Sequence, residues 1–443
     1  MGTARSDAGA WFRAACFTAT VLATIALSLY GGHGKPREWS IYLLLLPVLG
    51  CVLALNAFRE RAALRPSIGV LILMICLFGV QLAQTFAHAL PDTFGWLVQI
   101  IKGEVSTSYY TDALAALNDP RWIADFHLND TLHMHSSTHP IGPVAYYVAL
   151  IRWFGADQAA LLGSLILAFL TACTVPAMYF FAGIWTESRE TRLLACIFWT
   201  LCPAVGLVYP EFDQTYPILS MLLMTSCILA LTRNRAYAVL FGLLLALATF
   251  AAYNLLVLGV FFVVVVIGFL WLKRLSRHAF QQWIAVALIS LFCFLAVHFV
   301  FSAATGYQPL AAFFHASHTQ KLVYERHTPL HQAMSNFGYF VLGSGGLPEI
   351  LSIAFLIKVC ASHERRNWTF VLSCASALTL IVLEFSGLLM EAARVWLFLQ
   401  PLVFVPAALE LAKWDKKPRI WLLAAQWLLL ATIGRVMVFV YPM

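Results

Sequence analysis

The 443-residue chain is 61% hydrophobic and 11% charged, with a formal net charge of +7 and a mean hydropathy of +0.81. An ordinary soluble domain has about 25% charged residues, so a soluble fold of this length is excluded. The basic excess sits in short connections between apolar runs, which points to a membrane and away from nucleic acid as the partner.

Apolar runs of about 18 or more residues, enough to cross a hydrocarbon core, recur from end to end. Lipid leaves no backbone group unpaired, so the runs are predicted helices; stretches such as 260–272 and 421–433 lack the alternation of barrel strands. The predicted fold class is all-α integral membrane, a single transmembrane domain over 1–443 with about thirteen crossings. In chain order these lie near 11–31, 39–58, 66–89, 157–183, 190–209, 214–232, 236–251, 254–272, 280–303, 335–359, 367–387, 391–412 and 418–441. The first reads as a retained anchor, because no clear small-residue cleavage motif follows it. The dozen apolar residues from Pro143 to Phe154 are too few to cross and are assigned to a helix lying on the outer surface. The cysteines fall almost entirely inside apolar runs with no CxxC pair in a loop, which indicates neither a disulfide framework nor a cysteine metal site.

Charge sets the orientation. With a cytoplasmic N-terminus, 19 of the 28 basic residues face one side and 8 the other, as the positive-inside rule requires. Counting 143–154 as a crossing would carry the Lys273, Arg274 and Arg277 cluster outside and erase that bias. Two long connections then face outward, a first outer loop with juxtamembrane helices at 90–156 and a second at 304–334. Loops of that length are usually functional or disordered, and these carry aromatics and prolines without low-complexity sequence. Eleven of the thirteen histidines, all but His278 and His363, lie on or near the same side.

The first loop holds Glu104, Tyr109, Tyr110 and Asp112, then His133, His135 and His139 ahead of Pro140-Ile-Gly-Pro143. A carboxylate at the membrane surface is suited to general-base work, with Asp112 the first candidate and Glu104 the second; the bland alternative is that Asp112 caps a helix. His133, His135 and His139 are read as divalent-metal ligands, as hydrogen-bond partners of phosphate or substrate, or as loop packing; the HxHxxxH spacing matches no strong metal pattern. Asp213 and Gln214 at the outer end of a span invite a functional reading, against helix capping. Glu391 and Arg394 stand three apart, so the arginine either grips a phosphate with two parallel hydrogen bonds or pairs with Glu391. The second loop offers Lys321 and Arg326 as further binding groups and is a candidate lid.

Together these residues resemble the membrane-embedded glycosyltransferases of the GT-C superfamily, of the protein O-mannosyltransferase and aminoarabinose transferase kind. The resemblance rests on the acidic residue with tyrosines in the first outer loop, the His139-Pro-Ile-Gly-Pro143 element closing it, Asp213 after a later span and Arg394 opening a late one. It departs in that three spans precede the loop and in the offset of the acidic residue from the tyrosines. It implies transfer of a sugar, with inversion, from a polyprenyl-phosphate donor to a hydroxyl of a glycan, lipid or protein on the non-cytoplasmic side of a bacterial inner membrane. The loop carboxylate would be the base, and Arg394 with a loop histidine would hold the leaving phosphate. The competing class is a multi-pass transporter or flippase, which would carry its charges near span centres.

Overall fold

The structure is a computed structural model that describes residues 3–30, 39–58, 65–89, 93–102, 108–129, 131–324, 329–362, 367–385 and 392–437. Three helices open the chain, α1 (Thr3–Tyr30), α2 (Ser40–Phe58) and α3 (Pro66–Ala89). The first long connection then folds into α4 (Thr93–Lys102), α5 (Tyr109–Ala116), α6 (Met134–Thr138) and α7 (Gly142–Phe154). At 13 residues α7 reaches only about 20 Å, too short to cross, and it packs on α5 and on the helix that follows. Its first residue is pinned to the bundle, because a Cβ on Gly142 would lie 2.1 Å from the carbonyl oxygen of Phe250.

The chain continues through α8 (Ala156–Ala172), α9 (Thr174–Trp185), α10 (Arg189–Thr200), α11 (Pro203–Leu207), α12 (Tyr216–Thr232), α13 (Ala236–Ala251), α14 (Leu258–Leu272) and α15 (Arg277–Thr305). It ends with α16 (Pro309–Tyr324), α17 (Pro329–Ser344), α18 (Leu347–Ala361), α19 (Trp368–Glu384), α20 (Ala392–Val395), α21 (Pro401–Leu411) and α22 (Lys416–Val436). The elements start where local chemistry says they should. Proline stands in the first turn of α7, α11, α12, α18 and α21, where its missing N–H costs nothing. Ser188, Ser276 and Asn367 cap α10, α15 and α19 with side-chain oxygens.

Seven stretches among the described residues are long and apolar enough to cross a membrane, Ser40–Ala57, Pro66–Thr85, Ala156–Trp185, Phe212–Thr232, Tyr253–Leu272, Arg277–Thr305 and Lys416–Val436. Four shorter apolar helices accompany them, Trp11–Leu27, Ala236–Ala251, Trp368–Glu384 and Leu397–Leu411. The protein is an all-α, multi-pass membrane protein. Two expected spans take another form. The span at 335–359 is α17 and α18 meeting at 105°, because Gly345 and Gly346 both adopt positive φ, +92° and +75°. The span at 190–209 breaks after α10, at Leu201–Cys202, before Pro203 restarts the short α11. The second outer connection carries α16, which packs against α6.

One core joins α1 to α3, α9 to α14 and α17 to α22, while a second, smaller core of Tyr109, Tyr110, Tyr147, Trp122 and their neighbours holds the first outer loop together. Buried polar groups on one end of the bundle are paired across helices. Arg419 meets Glu190 at 2.8 Å, tying α22 to α10, and Lys358 meets the buried Glu410.

Candidate active site

Asp112 sits in the first turn of α5, which begins at Tyr109 with Ser108 at the N-cap, so its carboxylate is not the cap. It points instead across the loop, where Oδ1 lies 2.8 Å from Nδ1 of His133. Asp112 is 3% exposed, and its Oδ2 has no protein hydrogen-bond partner, which leaves one oxygen of a buried carboxyl able to accept a proton or hydrogen bond. Asp112 lines a cavity of about 340 Å³ whose wall also includes Asp119, Trp122, Asp125, Asn129 and Leu132.

A second chamber of about 280 Å³ lies on the other side of the loop. Its polar lining residues are His135, Thr138 and His139 from the loop, Asn254 before α14, Ser317 and Gln320 of α16, and Arg394 of α20. Leu256, Phe313, Leu383 and Trp396 are among its apolar ones. Arg394 is buried, and its Nε stands 3.2 Å from Oδ2 of the equally buried Asp213. Asp213 occupies a 3-10 turn before α12, whose N-cap is Thr215; it therefore positions the guanidinium rather than capping the helix.

Tyr109, 1% exposed, lies edge-on to His139 at 5.8 Å and to Phe212 at 6.5 Å. Burial first, then the charge of Asp213, push its phenol far above the usual tyrosine range, so it stays protonated and neutral. The wall between the two chambers is thin, since Leu132 lines the acidic cavity and Met134 and His135 line the other.

The histidines are tuned the opposite way from cations. Burial, and next the Arg394 charge, lower His135 from 6.5 to about 4. Burial also lowers His139, whose Nδ1–H donates to the His135 carbonyl at 2.8 Å and so leaves Nε2 as the unprotonated nitrogen. Both rings are neutral hydrogen-bonding groups beside a single guanidinium, a combination suited to an anion with several oxygens. His133, His135 and His139 do not converge as metal ligands. His133 turns to Asp112, and no group of three potential metal donors forms among the described residues. The described residues do not form a metal site.

Other expected residues take structural places. Tyr110 donates its hydroxyl to the Ala156 carbonyl, anchoring α5 to α8, and Gln214 donates to the Val205 carbonyl at 2.5 Å. Lys321 is exposed on α16 and lines neither chamber, whereas its neighbour Gln320 does. Glu104, Arg326 and Glu391 lie outside the described residues. Sequence reasoning missed Asn254, Ser317, Gln320 and Trp396; of these only Trp396 carried a signal, two residues beyond Arg394.

A third space of about 600 Å³ adjoins the anion chamber and shares Tyr253, Leu256 and Phe313 with its wall. Its other walls are aromatic and aliphatic, among them Phe250, Phe294, Leu295, Phe299 and Leu310, and the last three are exposed on the flank of the bundle.

No family model matches the sequence, and no curated protein matches it. Among solved structures the fold is similar to that of ArnT from Cupriavidus metallidurans, solved bound to undecaprenyl phosphate, with a TM-score of 0.54 at 12% identity. The match covers 79% of this chain and 60% of that one, so this chain spans about three-fifths of the other's length. The fold is like that of this ArnT structure.

Proposed function

We propose that the protein is a membrane glycosyltransferase that takes a sugar from a polyprenyl-phosphate donor and passes it, with inversion, to an acceptor hydroxyl on the non-cytoplasmic side. The observation that carries this reading is the junction of a small chamber holding one buried arginine and several hydrogen-bonding side chains with a larger, mostly apolar chamber open on the flank of the bundle. An amphiphile with an anionic head and a long hydrocarbon tail matches both, and the ArnT structure of like fold was solved with such a lipid. The donor phosphate would lie against Arg394, His135 and Gln320, with the first isoprene units along Phe313, Phe250 and Phe299.

The acceptor would enter from water through the acidic cavity, its hydroxyl on Oδ2 of Asp112. As the acceptor oxygen bonds to the anomeric carbon, its proton passes to Asp112 and the bond from that carbon to the phosphate oxygen breaks. The electron pair stays on the lipid phosphate, where Arg394 meets the growing charge. His133 orients the base through Oδ1. Glu104 is held as a second candidate base, and α16, which carries one wall of the anion chamber, as the lid.

The test measures binding and turnover on the same samples with a polyprenyl-phosphate sugar. Asp112→Asn keeps the shape but cannot take the proton, so turnover falls about 10²–10⁴-fold while donor binding survives. Arg394→Ala weakens donor binding itself. Normal turnover in Asp112→Asn, Glu104→Gln and Asp213→Asn together would overturn the carboxylate mechanism and favour a transporter.

A further inference from the structure

At the end of the bundle opposite Asp213, a cleft of about 250 Å³ opens between α9, the start of α10, the last turns of α12 and Trp368 of α19. Asp213 stands just before α12 and the cleft lies at the other end of that helix, so its 17 residues hold the two about 25 Å apart. The apolar wall includes Phe180, Leu229 and Trp368, and Phe180 is exposed on the flank of the bundle. Arg192, Thr225, Thr232 and Arg233 interrupt that wall, and no Asp or Glu lines it.

Arg192 is held in place without being neutralised. Its Nε donates to the Thr186 carbonyl at 2.9 Å, and its guanidinium lies 5.6 Å from the centre of the Tyr179 ring. The guanidinium also rests on Gly183, where a Cβ would come within 3.1 Å of Cζ and Nη1. Glu190, the carboxylate nearest to it in sequence, turns instead to Arg419 at 2.8 Å. Among the described residues no carboxylate meets Arg192 or Arg233. Thr225 adds an unspent hydroxyl. Threonine inside a helix can return that group to the carbonyl four residues back, as Thr232 does to Ile228 at 2.7 Å, yet Thr225 has no hydrogen-bond partner among the described residues. Helix dipoles leave the sign to the arginines, since α12 ends at the cleft and α19 begins there.

A guanidinium fixed through Nε keeps both Nη groups for an oxyanion, and a phosphate offers them several oxygens. An attached chain would cover the apolar wall, and arginine beside tryptophan at the end of apolar spans is the setting of a lipid headgroup. We propose that this cleft binds the phosphate of an anionic phospholipid, held by Arg192 and Thr225 with Arg233 adding charge, its chains lying along Phe180 and Trp368. The site is remote from the donor chambers and stands whether or not the sugar-transfer reading holds.

The test is equilibrium retention of labelled dioleoyl phosphatidate and dioleoylglycerol by the full chain in maltoside micelles, with protein-free micelles subtracted. A saturable phosphatidate site is expected that Arg394→Ala leaves in place and Arg192→Gln weakens roughly ten- to hundredfold, the loss of charge-assisted contacts. Thr225→Val and Arg233→Gln should each weaken it by less, and Arg277→Gln, exposed at the same end, not at all. Binding lost in Arg394→Ala but kept in Arg192→Gln would put the lipid in the anion chamber and overturn the proposal. An equal loss in Arg277→Gln, or dioleoylglycerol retained as tightly, would overturn it too, as would inorganic phosphate competing at the lipid's own concentration, which would make the occupant a free phosphate. If Arg192→Gln fails to fold, Thr225→Val and Arg233→Gln decide in the same directions.

Discussion

At the residue scale, His135 departs furthest from its type. Its folded value near 4 lies below the ordinary 6.5, so between those two values the unfolded chain binds a proton that the folded chain refuses. The stability contributed by the neutral ring is complete above about 6.5 and drains away as the pH falls toward 4. The melting temperature of the protein in detergent should therefore fall more steeply across that window than that of His135→Gln, and parallel slopes would refute the assignment. Asp112, Asp213, Arg394, His135 and His139 stand out in the sequence because charge and imidazole are rare in so apolar a chain. Gln214 and Tyr110 stand out for the same reason, and each donates to a backbone carbonyl. A polar side chain at a span end stands out equally whether it meets a substrate or, as here, a stranded backbone carbonyl. Gln320 and Ser317 were illegible, since nothing in a helix sequence marks which face a distant loop will cover.

Apolar length revealed the elements well and their breaks badly. Hydropathy averages over a window, so it joined α17 to α18 across Gly345 and Gly346 and α10 to α11 across Leu201. Backbone geometry decides both. A Cβ at position 345 would sit at φ +92° and 2.4 Å from Nε2 of Gln426, which donates to the Ser344 carbonyl at 2.9 Å. Gly345→Ala is accordingly expected to destabilise by about 1–3 kcal/mol, read as a lowered melting temperature, and an unchanged one would mean that the bend is not fixed by this pair. The second outer connection presents α16 as a wall of the anion chamber through Phe313, Ala316 and Ser317. On the lid reading, hydrogen exchange in α16 slows when a polyprenyl-phosphate sugar binds, and exchange rates indifferent to that ligand would leave α16 a fixed wall.

For the whole molecule, membrane class followed from composition and all-helical architecture from the continuous apolar runs, because lipid admits only helices and closed barrels and these runs lack the alternation of barrel strands. Orientation rests on the basic residues. A cysteine placed at Asn129, on the rim of the acidic cavity, should react with an impermeant reagent added to intact cells, whereas labelling only after permeabilisation would invert the molecule. The three-dimensional arrangement of the chambers was beyond the sequence, as it depends on Arg394 reaching Asp213 from a helix 181 residues away. The thin wall at Leu132 to His135 has a kinetic meaning. A lipid arriving from the bilayer and an acceptor arriving from water would dock from different sides, so neither has to depart before the other arrives. Transfer would then run through a ternary complex in one displacement, once the segment from Leu132 to His135 moves aside and the acceptor oxygen meets the anomeric carbon, with no sugar parked on the protein between half-reactions.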